Sequence, residues 1–294
     1  RKFGKYILFP SSFTVNHALG KDGAMKLINE LGRIKNKKDE ISYNIKFDFF
    51  RKTFTKFSEL IKIVAEECPE YNIIVRPHPG EDRSFWQRLA RNFKNIYIEI
   101  EGSITPWIIA SELVIHSSCT TGLEAFLLKK PVISFLPYKD HEYVKHISND
   151  VSKECNSYNQ VLDLIKSKNF NQIIVRENTT FLDNHLSNLN GQQAYKSIVK
   201  ELSKINLEQQ EFTLMRTSLW ESILSILRML KSRINPGRDL RKRYANQKFP
   251  GSTLSEVNIL INKFCTVIPS FSDYKFIVRE LKKDVYLIIS ENKN

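Results

Sequence analysis

The sequence predicts an α/β domain built on a doubly wound, Rossmann-like parallel sheet. Two patterns carry that expectation. Short, continuously apolar runs alternate with segments of helical spacing, and several of the runs end in polar clusters. Apolar runs without alternation suit strands covered on both faces, as a parallel sheet between two helical layers requires.

KYILFP, residues 5–10, is a strand that closes on Ser11 and Ser12. Residues 16–48 are polar and lysine-rich, a loop with a short helix near 23–31. Over 50–67, Phe50, Phe54, Phe57, Leu60, Ile61 and Val64 recur at helical spacing. The strand YNIIVRP (71–77) precedes a helix over 84–92 and the strand NIYIEI (95–100). ITPWIIASE (104–112) is a helix opened by proline near its first turn. ELVIHSS (112–118) is a strand, TTGLEAFLLK (120–129) a helix and PVISFL (131–136) a strand. A weaker alternation covers 158–166, and a helix is expected over 194–205.

This pattern assigns residues 1–206 to the Rossmann-like domain and 207–294 to a basic, mostly helical C-terminal appendage. In the appendage, Leu219, Trp220, Ile223, Leu224, Leu227, Leu230 and Ile234 form one stripe of an amphipathic helix over 212–234. The basic segment INPGRDLRKRY (234–244) breaks that helix. Thr253-Leu-Ser-Glu256 is a capping-box pattern for a helix reaching about residue 264, and 276–290 reads as a terminal strand pair. Residues 207–294 hold 15 Lys and Arg against 9 Asp and Glu, a net +6 within a chain total of +13.

That total, with an isoelectric point near 9.5, favours acidic partners: phosphorylated ligands, nucleic acid or an anionic membrane surface. Several classes find no support. There is no GxxxxGK[ST] loop, no GxGxxG turn, and no RNA-recognition, zinc-finger or helix-turn-helix signature, so no nucleic-acid partner is expected. Cys68, Cys119, Cys155 and Cys265 are scattered without a CxxC pair, as in reduced cytoplasmic proteins. No run approaches the roughly 18 apolar residues of a spanning helix. The chain opens on Arg1 and enters a strand almost at once, so it is expected to be the back half of something longer.

Ligands of open α/β sheets bind beyond the carboxyl ends of the strands. Three polar clusters stand there: Ser11-Ser12, Arg76-Pro77-His78-Pro79 and His116-Ser117-Ser118. Arg76 can grip a phosphate or carboxylate bidentately, and His78 can donate to a phosphate oxygen. The alternative for RPHP is a rigid turn with Arg76 paired to a surface acid. Ser117, Ser118, Thr120 and Thr121 open a helix, where hydroxyls and backbone N–H groups form an anion cradle; plain N-capping is the alternative. Glu124, one turn on, is placed either to accept from ribose hydroxyls or to face solvent. Asn16 and His17, after the first strand, are rim candidates with an ordinary loop histidine as the alternative, and His116 stands at the same rim. His141 is a further rim candidate; with His146 it follows the last strand at a spacing that does not stack the two on a helix face, so no metal site is expected.

The order strand-RPHP, then strand-HSS followed by EAFLLKKPVISF, resembles the donor-binding half of GT-B glycosyltransferases that build bacterial surface polysaccharides. The likeness covers about residues 5–140. It extends to capsule-type Kdo and sialic acid transferases, which carry HP and SS motifs matched here by His78-Pro79 and Ser117-Ser118, and to CDP-glycerol glycerophosphotransferases. The resemblance implies a transferase that binds a nucleotide-sugar donor, CMP-linked by preference. It implies a lipid-linked or glycan acceptor and work in the cytoplasm at the inner membrane surface. Arg76, His78, the serine hydroxyls and a helix start stand in place of a cation and no DxD-like pair ends a strand, so no metal or cofactor is expected. Arg76 and His78 would then stabilise charge on the departing nucleotide phosphate, with Ser117 and Ser118 sharing that role. A sugar-nucleotide 2-epimerase of the same fold and a non-catalytic nucleotide-sugar-binding module are the competing readings. In such enzymes the acceptor half, with the general base, precedes the donor half.

Overall fold

A computed structural model describes residues 3–173, 179–187, 194–202, 204, 244–282 and 284–292. The chain divides into two compact units, 1–234 and 235–294. The boundary expected at 206, the helix expected over 212–234 and the basic segment 234–243 all lie outside the described residues.

The first unit holds a six-stranded parallel sheet in the order β3-β2-β1-β4-β5-β6. Its strands are β1 (Tyr6–Ser11), β2 (Asn72–Pro77), β3 (Ile96–Ile98), β4 (Leu113–His116), β5 (Val132–Phe135) and β6 (Lys153–Cys155). The helices between them are α1 (Gly20–Glu30), α2 (Lys37–Glu67), α3 (Arg83–Ala90), α4 (Thr105–Ala110) and α5 (Thr120–Leu127). Next come α6 (His141–Val144) and α7 (Ile147–Asp150), then α8 (Tyr158–Lys166) and α9 (Ala194–Leu202). This is the doubly wound architecture that the apolar runs predict.

Strand alternation explains why those runs are apolar throughout. Ile7, Phe9, Ile73, Val75, Leu113, Ile115, Ile133 and Phe135 face one layer, with Phe57, Leu60, Ile61 and Val64 of α2, Trp86 of α3 and Val161 of α8. Tyr6, Leu8, Ile74, Val114 and Val132 face the other, with Ile108 of α4 and Ala125 of α5. Each central strand therefore has no solvent side to carry polar residues.

Two expectations needed correction. Residues 37–48 are helix rather than loop, because Asn36 caps them by accepting from Asp39 N–H at 2.9 Å and Asp39 and Glu40 favour the positive helix start. The resulting helix of 31 residues is about 46 Å long. Its first buried side chain is Phe47, so its opening ten residues leave no apolar stripe to read. The edge strand β6 was not expected either. It is three residues long, and its Lys153 and Glu154 are exposed.

The second unit contains the helix Leu254–Val267 and an antiparallel pair, β7 (Tyr274–Lys282) and β8 (Val285–Asn292). The capping box is present as read: Thr253 Oγ1 accepts from Glu256 N–H, and Glu256 accepts from Thr253 N–H at 2.7 Å.

Gly122 of α5 lies against His116 at the end of β4, and a Cβ there would overlap the His116 ring. Gly122→Ala is expected to lower unfolding free energy by about 1–3 kcal/mol, the range for overpacking a filled interior. Urea denaturation checks this; an unchanged midpoint would show that the ring moves aside freely.

Candidate functional site at the β1–β4 switch point

The strand order reverses at β1. The chain leaves β1 towards β2 and β3 on one side, then returns to lay β4 on the other; at such a reversal the loops part, and doubly wound sheets bind their ligands there. Register places the predicted clusters along this edge. Ser11 lies level with Pro77, and Leu8 with Val114; continuing that second offset brings Ser11 level with Ser117. Ser12 and His78 follow one position beyond their strands and Ser118 two beyond β4.

At the end of β2, Arg76 turns towards the neighbouring loop. Its guanidinium donates to Glu101 O at 2.8 Å and Gly102 O at 2.7 Å, lies 5.1 Å from the Trp107 ring centre, and is buried. Burial lowers its pKa. The fork expected to hold a ligand anion thus holds the loop between β3 and α4. His78 is exposed on the rim, and its Nδ1 accepts from Gly80 N–H at 3.0 Å. Nδ1 as acceptor puts the ring proton on Nε2, the nitrogen able to donate.

Ser11 and Asn16 are buried with a residue the sequence did not single out, Glu81. Ser11 Oγ donates to both carboxylate oxygens at 2.9 and 3.0 Å, and Asn16 Nδ2 donates at 3.2 Å. Ser12 is exposed beside them, and His17 accepts from Leu19 N–H at 3.1 Å through Nδ1.

The end of β4 divides into a structural half and an open half. His116 is fully buried: Nδ1 accepts from Cys119 N–H at 3.2 Å, and Nε2 donates to Ser152 Oγ at 2.9 Å. Ser152 Oγ–H in turn donates to Ser148 O. Burial drives the His116 pKa down to about 3, so the ring is neutral and braces the turn from β4 to α5. Thr121 is also buried, and its hydroxyl accepts the Cys119 thiol at 3.4 Å.

Ser117, Ser118, Thr120 and Glu124 face outward to differing degrees. Ser118 sits at φ +52°, and its Oγ accepts from Asn149 Nδ2 at 2.9 Å, which leaves its hydroxyl proton to donate elsewhere. Asn149 is locked by a second bond to Val144 O at 2.7 Å. The side chains of Ser117, exposed Thr120 and half-buried Glu124 have no hydrogen-bond or ion-pair partner among the described residues. Burial raises the Glu124 pKa. Together these groups offer hydroxyl donors and a helix start on one side of the crevice, with a carboxylate one turn along.

The backbone of His141 opens α6 under a cap from Asp140, which accepts from Glu142 N–H at 2.9 Å. His146 likewise caps α7. Leu136, Lys139, Val144, Lys145, Asn149, Asp150 and Glu154 line a cavity of about 510 Å³ on that side of the rim. No group of three or more His, Cys, Asp or Glu that could hold a metal ion occurs among the described residues. Nor is any described helix long and apolar enough to cross a membrane.

No protein-family model and no curated protein matches the chain. Among solved structures it is similar to UDP-GlcNAc 2-epimerase from Neisseria meningitidis bound to UDP-GlcNAc, with 16% identity over 69% of this chain and 45% of that one and a TM-score of 0.34. It is also similar to the pneumococcal O-GlcNAc transferase GtfA in complex with UDP and GlcNAc, with 14% identity over 68% of this chain and 35% of that one and a TM-score of 0.30. The chain spans less than half the length of either protein.

The buried ring of His116 has a consequence for pH. Its folded pKa, about 3, lies below the ordinary value of 6.5, so between those values the unfolded chain binds the extra proton and stability rises with pH. From pH 7 down to pH 5 this ring should remove about 2 kcal/mol of stability. Urea unfolding at both values should show that loss in the parent and a shallower dependence in His116→Asn. Equal slopes would mean that the ring is accessible.

Proposed function

We propose that this chain is the nucleotide-sugar-binding half of a GT-B-type glycosyltransferase of surface-polysaccharide synthesis. A CMP-linked sugar is the favoured donor and a lipid-linked or glycan molecule the acceptor, met on the cytoplasmic side of the membrane. The observation that supports the reading is the set of outward groups at the switch point: the Ser117, Ser118 and Thr120 hydroxyls, the start of α5 and the half-buried Glu124.

In this reading the donor phosphate lies against the start of α5. There the helix dipole and first-turn N–H groups favour negative charge, and the serine and threonine hydroxyls donate to its oxygens. His78 approaches from β2 with Nε2–H towards the same phosphate. Glu124 accepts from the ribose hydroxyls, which would also satisfy a carboxylate that burial penalises. These fixed donors stabilise charge as the sugar–phosphate bond breaks, so the role is electrostatic and needs no cation. Arg76 acts from behind: it fixes the loop after β3 and leaves direct phosphate contact to His78 and the serines.

Calorimetry with CMP, CDP, UDP and GDP, with and without EDTA, tests the proposal. A cytidine nucleotide should bind most tightly and EDTA should change nothing. Ser118→Ala and His78→Ala should each weaken binding by about 1.5–3 kcal/mol, the range for a hydrogen bond to a charged group, while the melting temperature holds. Tightest binding of UDP or GDP would remove the cytidine assignment and spare the site. A folded chain that binds none of the four would end the reading.

A further inference from the structure

Glu81 is only 1% exposed, yet it stands three residues after His78 at the edge of the rim. Its carboxylate accepts from Ser11 Oγ, from Phe13 N–H at 2.9 Å, from Asn16 Nδ2 and from Trp86 Nε1 at 2.9 Å. Ser11 ends β1, Phe13 and Asn16 belong to the loop that follows it, and Trp86 belongs to α3. We infer that Glu81 is the positioning residue of the rim: its carboxylate clamps the loop after β1 to the loop after β2 and so fixes where His78 stands.

The seam between the two loops follows the same path. Beyond the last paired residues, His78 N–H donates to Ser11 O at 2.8 Å, Ala18 N–H to Gly80 O at 3.0 Å and Asp82 N–H to Asn16 O at 2.6 Å. Glu81 N–H closes on His78 O at 2.9 Å, so the residue that clamps the loops is tied directly to the histidine backbone. Gly80 N–H then holds His78 Nδ1, which sets the ring and its tautomer. A side chain at this centre must accept everywhere, because every named partner donates. An ionised carboxylate does so, whereas a glutamine amide would turn a donor towards at least one of those donors. With its oxygens so engaged, Glu81 is a poor general base despite its place beside the crevice.

Only the consequence for ligand binding rests on the proposed nucleotide site; the clamp itself can be measured without any ligand. Glu81→Gln in the full chain is compared with the parent by amide hydrogen exchange, by the His78 ring-nitrogen NMR signals and by CMP and UDP calorimetry. Exchange over 11–18 and 78–82 should accelerate at least tenfold while the β4 amides keep their protection. The His78 signals should move towards mixed tautomers, and nucleotide affinity should fall at least tenfold. Unchanged loop exchange with an unchanged His78 signature overturns the inference, whatever the affinity does. A parent that binds neither nucleotide defeats the functional reading, while exchange and ring signals still decide on Glu81. If the glutamine variant does not fold, Trp86→Phe withdraws one donor and keeps the carboxylate. Its loops should then exchange faster and its His78 signals shift, and parent-like behaviour overturns the inference.

Discussion

The structure depends on one constraint: β1 is paired in parallel on both sides, with β2 at one edge and β4 at the other. Parallel pairing forces every connection to cross over a face of the sheet, so the chain cannot reach β4 without travelling back past β1. The loops after β1 and β4 must then part. A crevice at the carboxyl edge follows from that reversal before any side chain is considered.

What fills the crevice wall is a matter of which polar groups the fold uses internally. Arg76, His116, Ser11, Asn16 and Thr121 all carry chemistry suited to anions, and all are buried. Arg76 holds backbone carbonyls, His116 holds the turn into α5, and Ser11 and Asn16 serve Glu81. Leaving any of these groups buried without its partner would cost about 1–3 kcal/mol, so they are committed to the fold. The outward set is Ser12, His78, Ser117, Ser118, Thr120 and Glu124. It stands on a frame made rigid by the buried set.

The sheet was legible because its four central strands are apolar on both faces: Ile73 and Val75 enter one layer and Ile74 the other, which a strand covered on both sides accommodates. The opening of α2 and strand β6 were not. Neither places a patterned apolar face against the core, and periodicity can report only what packing imposes. For the site, the sequence located the clusters at strand ends but not the direction of their side chains. Arg76 finds its acceptors 25 and 26 residues away, and Glu81 gathers donors from 65 to 70 residues back. Such partners are fixed by topology, and no local motif announces them.

The central claim is that an anionic nucleotide group docks at the β1–β4 crevice on the start of α5. Amide chemical-shift mapping during a titration with CMP tests it most directly. The account predicts the largest shifts at residues 117–121 and 78–80, with smaller ones near Glu124. Shifts confined to the cavity lined by Met25, Lys26, Asn29, Ile34, Lys35, Asn36 and Glu40, with residues 117–121 unmoved, would contradict it.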